Sequence, residues 1–168
     1  MPHALVMALF EDAAVAADAA RDLRNLGIPR ERVSIVARSH DEEGTLARAS
    51  GASPGSEIEE SRMASRLGEL GAHLVAAIGV FMPGVGPIIA DGPLAAAVGE
   101  AAGHLAGGVA RALEHAGLDG AEAARWEKRI EEGAFLVGAH VERAPVEPAR
   151  DVLIQHGGSP LAVGNWND

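Results

Sequence analysis

An α+β domain is expected from this chain: a ferredoxin-like βαββαβ core with an Ala/Gly-rich helical hairpin inserted between its second and third strands. Three observations lead there. Short apolar runs at 4–10, 32–38 and 134–142 have strand length and strand alternation, and amphipathic stretches of helical spacing lie among them. The stretch 61–115 is of another kind. Two Ala/Gly-rich apolar runs flank Pro83, Gly84, Gly86, Pro87, Gly92 and Pro93. A proline inside a helix removes a hydrogen bond and clashes with the preceding turn, so these runs read as two helices joined by a turn. Finally, removing that hairpin and the capped helix after it leaves the order βαββαβ, the split βαβ pattern.

The elements follow in order. Residues 4–10 form a first strand, closed by Glu11 and Asp12. The Asp12 carboxylate can cap the helix that follows by accepting from first-turn amides. Val15, Ala19, Leu23 and Leu26 recur at helical spacing, and Gly27 with Pro29 ends the helix. Residues 32–38 are the second strand, reached by a crossover that normally makes it parallel to the first. Residues 39–60 are rich in Ser, Gly, Asp and Glu and read as a mobile loop. After the hairpin, 61–117, Asp119 and Glu122 have capping-box spacing for a helix to about 132. Residues 134–142 are the third strand. Pro145 suits the first turn of a last helix, and 160–164 is a last strand whose proline argues for an edge. The organisation is one domain, 1–168, with 1–38 as the first half and 118–168 as the second, of order αβαβ.

Composition narrows the function. Apolar residues make up 48% of the 168, enough for a core, but aromatics only 3%, so Ala, Val, Leu and Ile must build it at close spacing. Asp and Glu number 24 against 14 Lys and Arg, a formal charge of -10. That balance lacks the basic footprint of a nucleic-acid or anionic-membrane binder. The chain has no cysteine, and its N-terminal run lacks a basic region of signal-peptide form, so a cytoplasmic protein is expected. A spanning helix needs about 20 apolar residues; 74–82 is too short before Pro83, and the second hairpin helix carries Glu100 and His104.

Strand alternation puts Val6, Ala8, Phe10, Val33, Ile35, Phe135, Val137 and Val141 on one sheet face. Leu5, Met7, Leu9, Val36, Leu136 and His140 fall on the other. Both faces are mostly apolar, so the second needs cover from the hairpin or from a second subunit, and a homodimer or larger homo-oligomer is expected.

Three segments carry a family likeness: ALVMALFEDAAVAADAARDLRNLGIPRERVSIVAR, MPGVGPIIADGPLAAAVGEAAGHLAGGVARALEHAGL and AARWEKRIEEGAFLVGAHVE. The chain resembles the bacterial general-stress, heat-induced stress-protein domain family over nearly its whole length except 39–60. The most specific part is Pro83 to Pro87 followed by Gly92, Pro93, Leu94 and three alanines. The resemblance implies a stress-linked bacterial protein and supplies no catalytic motif.

Candidate chemistry lies in the hairpin. Gly99, Gly103 and Gly107 form one small-residue stripe, and Ala64, Gly68, Ala72 and Ala76 another, of the kind that lets helix backbones approach closely. Beside them run Glu69 with His73 and Glu100 with His104, each pair spaced i, i+4 on one helix face. Folded about a turn near Ile88, the two pairs come level. Carboxylates and imidazoles from facing helices can hold a divalent transition metal, as in helix bundles. Equally, each Glu can pair with its own His. His140 can line a pocket or pack as a satisfied core residue. His115 and His156 fall near helix C-termini, and His3 and His40 are expected in solvent. No Ser–His–Asp arrangement is legible, and Gly84-Val85-Gly86 lacks the strand and lysine of a phosphate loop. Two readings result: a non-enzymatic stress-associated protein acting by self-association or partner binding, and a metal-binding, redox-active protein using Glu69, His73, Glu100 and His104.

Overall fold

The computed structural model describes residues 3–38, 78–82, 85–103, 108–142 and 145–167. Six strands form one antiparallel sheet: β1 (His3–Phe10), β2 (Val33–Arg38), β3 (Ile78–Met82), β4 (Gly86–Asp91), β5 (Phe135–Val141) and β6 (Leu161–Trp166). Their order across the sheet is β3-β4-β2-β5-β1-β6. Five helices are described: α1 (Ala13–Asn25), α2 (Leu94–Ala102), α3 (Val109–His115), α4 (Gly120–Glu131) and α5 (Glu147–Gln155). β1 and β2 are each antiparallel to β5, which lies between them, so they run parallel to one another. β5 and β6 stand in the same relation about β1.

Local chemistry sets the helix ends. The Asp12 carboxylate accepts from the amides of Ala14 at 2.8 Å and Val15 at 3.2 Å. Gly27, at φ +90°, turns the chain out of α1 in the left-handed conformation that favours glycine. Asp119 caps α4 through the Glu122 amide at 2.8 Å. α3 has Gly108 at its N-cap and no side-chain cap of its own. Its Ala110 amide donates instead to the Glu127 carboxylate of α4, at 2.9 Å. In α5 the proline of the first turn is Pro148 rather than Pro145, which lies two residues before the helix.

The sheet is buried on both faces. Val6, Ala8, Phe10, Val33, Ile35 and Val137 pack beneath α1 and α5, against Ala16, Ala19, Ala20, Leu23 and Leu153. Leu5, Met7, Leu9, Val36, Ile88 and Leu136 pack on the other side against Leu94, Val98, Leu113, Trp126 and Ile130. The division by alternation is the expected one. Among the described residues, the cover on the second face comes from α2, α3 and α4 of the same chain.

The inserted segment corrects one expectation. Residues 78–82 and 86–91, expected as helix and helix–helix turn, are the strands β3 and β4 of a β-hairpin. Ile88, placed at the turn, lies inside β4 opposite Val80. The physical reason is the run of Ile78, Val80, Ile88 and Ile89, whose branched side chains suit a pleated sheet. Gly86 supplies φ +105° at the hairpin end, and Pro87 lies just outside the ladder between β4 and β2. The expected second helix is divided: α2 ends at Ala102, and α3 begins at Val109. Gly99, expected to let a second helix approach, faces a strand side chain instead: a Cβ there would stand 3.3 Å from Ile78 Cδ1 of β3. The loop at 39–60, His40, the first stripe (Ala64, Gly68, Ala72 and Ala76) and Gly107 lie outside the described residues.

Candidate functional site

Of the expected metal quartet, Glu69, His73 and His104 lie outside the described residues, and Glu100 is an exposed residue of α2. Among the described residues, no group of three or more His, Asp or Glu side chains is gathered as metal ligands would be.

A different polar cluster is built into the second sheet face. His140 on β5 is in register with Leu5, and Ser34 on β2 with Gly138. His3 and Ser34 are thus diagonal neighbours of His140 on the same face, a separation that long side chains span. His140 Nδ1 lies 3.0 Å from His3 Nε2, and His140 Nε2 lies 2.9 Å from Ser34 Oγ. The Leu94 amide, first in α2, donates to Ser34 Oγ at 3.1 Å. Trp166 on β6 stands edge-on to His140, with ring centroids 5.4 Å apart, and His115 at the end of α3 stands edge-on to Trp166 at 5.2 Å. The chain of groups is sealed: His3 is 4% exposed, Ser34 0% and His140 3%.

The sequence around α2 explains how the cluster forms. Pro93 occupies the N-cap and offers no side-chain acceptor, so Ser34 from a neighbouring strand caps the helix instead. Gly92 makes this approach feasible. It has φ +76°, and a Cβ there would lie 2.3 Å from the Val33 carbonyl and 2.9 Å from Ser34 Oγ.

The Ser34 hydroxyl has two partners, the Leu94 amide and His140 Nε2. The amide can only donate, so one lone pair of Ser34 Oγ accepts it. The direction of the bonds from Ser34 to His140 and from His140 to His3 follows the histidine tautomers. The cluster is not a nucleophile arrangement. The second nitrogen of His140 faces an imidazole rather than a carboxylate, and Ser34 is closed to substrate. Asp91 is also buried, but its strand partner is Ile35, on the other face.

His3, expected in solvent, is therefore a core residue. The expected strand began at Ala4 and left His3 outside the alternation; β1 starts at His3 and puts it on the face of Leu5. Ser34 gave no sequence signal beyond its parity with Val36. His140 falls on its expected face, as a satisfied core residue. His156 follows α5 and hydrogen-bonds Asp22 at 2.8 Å. That bond, with the charges of His156 and Arg21 and a further bond from Asn25, holds the Asp22 carboxyl below the usual range, against a smaller opposing effect of burial.

Among the described residues no helix is long and apolar enough to cross a membrane. In comparisons with family models, curated proteins and solved structures, the chain matches none.

Proposed function

We propose that this chain is a non-enzymatic, stress-associated bacterial protein of the cytoplasm that works by associating with further copies of itself. The observation that carries the reading is the placement of exposed apolar side chains. The exposed large hydrophobic residues among those described are Val15, Leu26, Ile154 and Val163. All belong to the side of the sheet that carries α1 and α5: Val163 pairs with Val6, which packs beneath those helices. Single exposed apolar residues are ordinary, but four on one layer, next to an edge strand, favour an interface. The stress assignment rests on the sequence resemblance. The strand order β6-β1-β5-β2, with α1 and α5 as crossovers, supports reading the core as ferredoxin-like, with β3, β4 and α2 to α4 as its insertion.

Light scattering on the purified chain tests the reading. A mass above one chain is expected, and Ile154→Glu combined with Val163→Glu should reduce it to the monomer. A clean monomer mass at high micromolar concentration rejects self-association. Elemental analysis of the same sample reads the competing function, since a stoichiometric transition metal would favour the ligand set Glu69, His73, Glu100 and His104.

A further inference from the structure

We infer that β6 is the contact between copies: two chains join edge to edge along it, about a two-fold axis, and one sheet continues into the other. This rests on the self-association proposed above and names its surface. β6 lies at one end of the sheet, with β1 as its neighbour. The Leu9 amide donates to the Pro160 carbonyl across that ladder, at 3.2 Å. Bonded positions alternate along an antiparallel pair, so Ala162, Gly164 and Trp166 turn their backbone groups to β1. Leu161, Val163 and Asn165 turn theirs outward, and among the described residues none meets them. Edge strands are ordinarily guarded by charge, proline or a bulge. The sequence LAVGNW of β6 has no charge and no proline, and its register with β1 is unbroken.

The surface is complementary to its own reverse. With Val163 opposite the partner's Val163, Leu161 faces the partner's Asn165, and every outward amide and carbonyl finds its mate. Val163, 50% exposed, is then covered by its own copy. On the other face Ala162 meets the partner's Gly164, and both are small. The helix above fits the same axis. α5 lies over β1 and β6, and α1 over β5. His156 faces α1 through its bond to Asp22. Ile154 stands about 200° around the helix from His156, on the flank away from α1, and is 50% exposed. Arg150 and Glu147 continue that flank at i, i+4 and i, i+3 spacing. Both are exposed, and neither is in an ion pair among the described residues. The two-fold axis sets α5 antiparallel to the partner's α5. The Glu147 end of one flank therefore meets the Arg150 and Ile154 end of the other, acid toward base, in a chain whose charge of -10 opposes association elsewhere. Val15 and Leu26, on the α1 side, stay outside the contact.

Amide exchange on the unmodified chain tests this, with light scattering on the same samples. As the mass rises from one chain to two with concentration, exchange at Leu161, Val163 and Asn165 should slow by about tenfold or more, the factor given by one net hydrogen bond. Ala162, Gly164 and Trp166 should be protected throughout. The chain has no cysteine, so one substitution gives a single thiol. Val163→Cys should link two chains on mild oxidation, because bonded cross-strand positions hold Cα atoms about 5.5 Å apart, within disulfide reach. Leu26→Cys should stay unlinked. A dimer mass with the outward amides still exchanging freely overturns the β6 contact and leaves self-association to another surface. So does Leu26→Cys linking as fast as Val163→Cys. A mass that keeps growing beyond two chains overturns the closed two-fold pairing. A single-chain mass at every concentration overturns the contact and self-association together.

Discussion

Replacing Gly164 by alanine should force apart two elements that now touch through backbone alone. Gly164 lies in β6, on the face of Trp166, under the turn that ends α3. A Cβ at this position would stand 1.8 Å from the Ala116 carbonyl oxygen and 2.9 Å from its carbon. Ordinary carbon–oxygen contacts lie at about 3.3 Å or more, so the turn must retreat by about 1.5 Å. Gly164 does not have a positive φ, so alanine suffers no backbone penalty there and the whole effect is steric. Overpacking typically costs about 1–3 kcal/mol. Retreat of α3 also separates His115 from the Trp166 ring, adding up to about 1 kcal/mol. A total near 3 kcal/mol lowers the melting temperature by roughly 6–12 °C for a chain of this size. Urea unfolding of Gly164→Ala beside Gly157→Ala isolates the cause. At Gly157 φ is +77° but nothing lies within 4 Å, so only the left-handed backbone cost of about 1–2 kcal/mol applies. A Gly164→Ala protein that loses less stability than Gly157→Ala would refute the packing argument.

The pair of Asp22 and His156 predicts an acid dependence. The Asp22 carboxyl is held below its ordinary value in the folded chain, first by the bond from His156, so its contribution is present above the unfolded value and is lost as pH falls through the lower folded one. Both partners are partly exposed, which limits the contribution to less than about 1 kcal/mol; stability curves of Asp22→Asn and the parent should converge at the acid end. Asp12→Ala removes the acceptor of two first-turn amides and should cost about 1 kcal/mol in urea unfolding, with Asp119→Ala similar at α4. Equal stability of either variant and the parent would show that water replaces the cap.

What was legible in the sequence depended on how local its cause was. Asp12 and Asp119 could be read as caps because a carboxylate and the amides it serves lie within three residues. The two sheet faces could be read because alternation fixes them wherever a strand is recognised. The stretch 78–91 could not. Its glycines, alanines and prolines fit a broken helix as readily as a hairpin, and the deciding fact is that β4 finds β2 as a neighbour, from Ile35 opposite Asp91 to Arg38 opposite Ile88. The histidine chain was hidden for a related reason: its members are 31, 106 and 137 positions apart in pairs, as the numbering of His3, Ser34 and His140 gives.

By itself, then, the sequence determined the caps of α1 and α4, the strands at both ends of the chain and the division of apolar residues between two faces. These follow from hydrogen bonds within one turn and from the period of a single element. Only the tertiary structure decided which elements cover the second face, that 78–91 is sheet, and that Ser34 caps a helix while holding His140 to His3. Those outcomes rest on contacts between segments far apart in the chain. The energies that select them arise only when the segments meet, in the burial of Leu5, Met7 and Leu136 beneath α2, α3 and α4 and in polar groups that must find partners there.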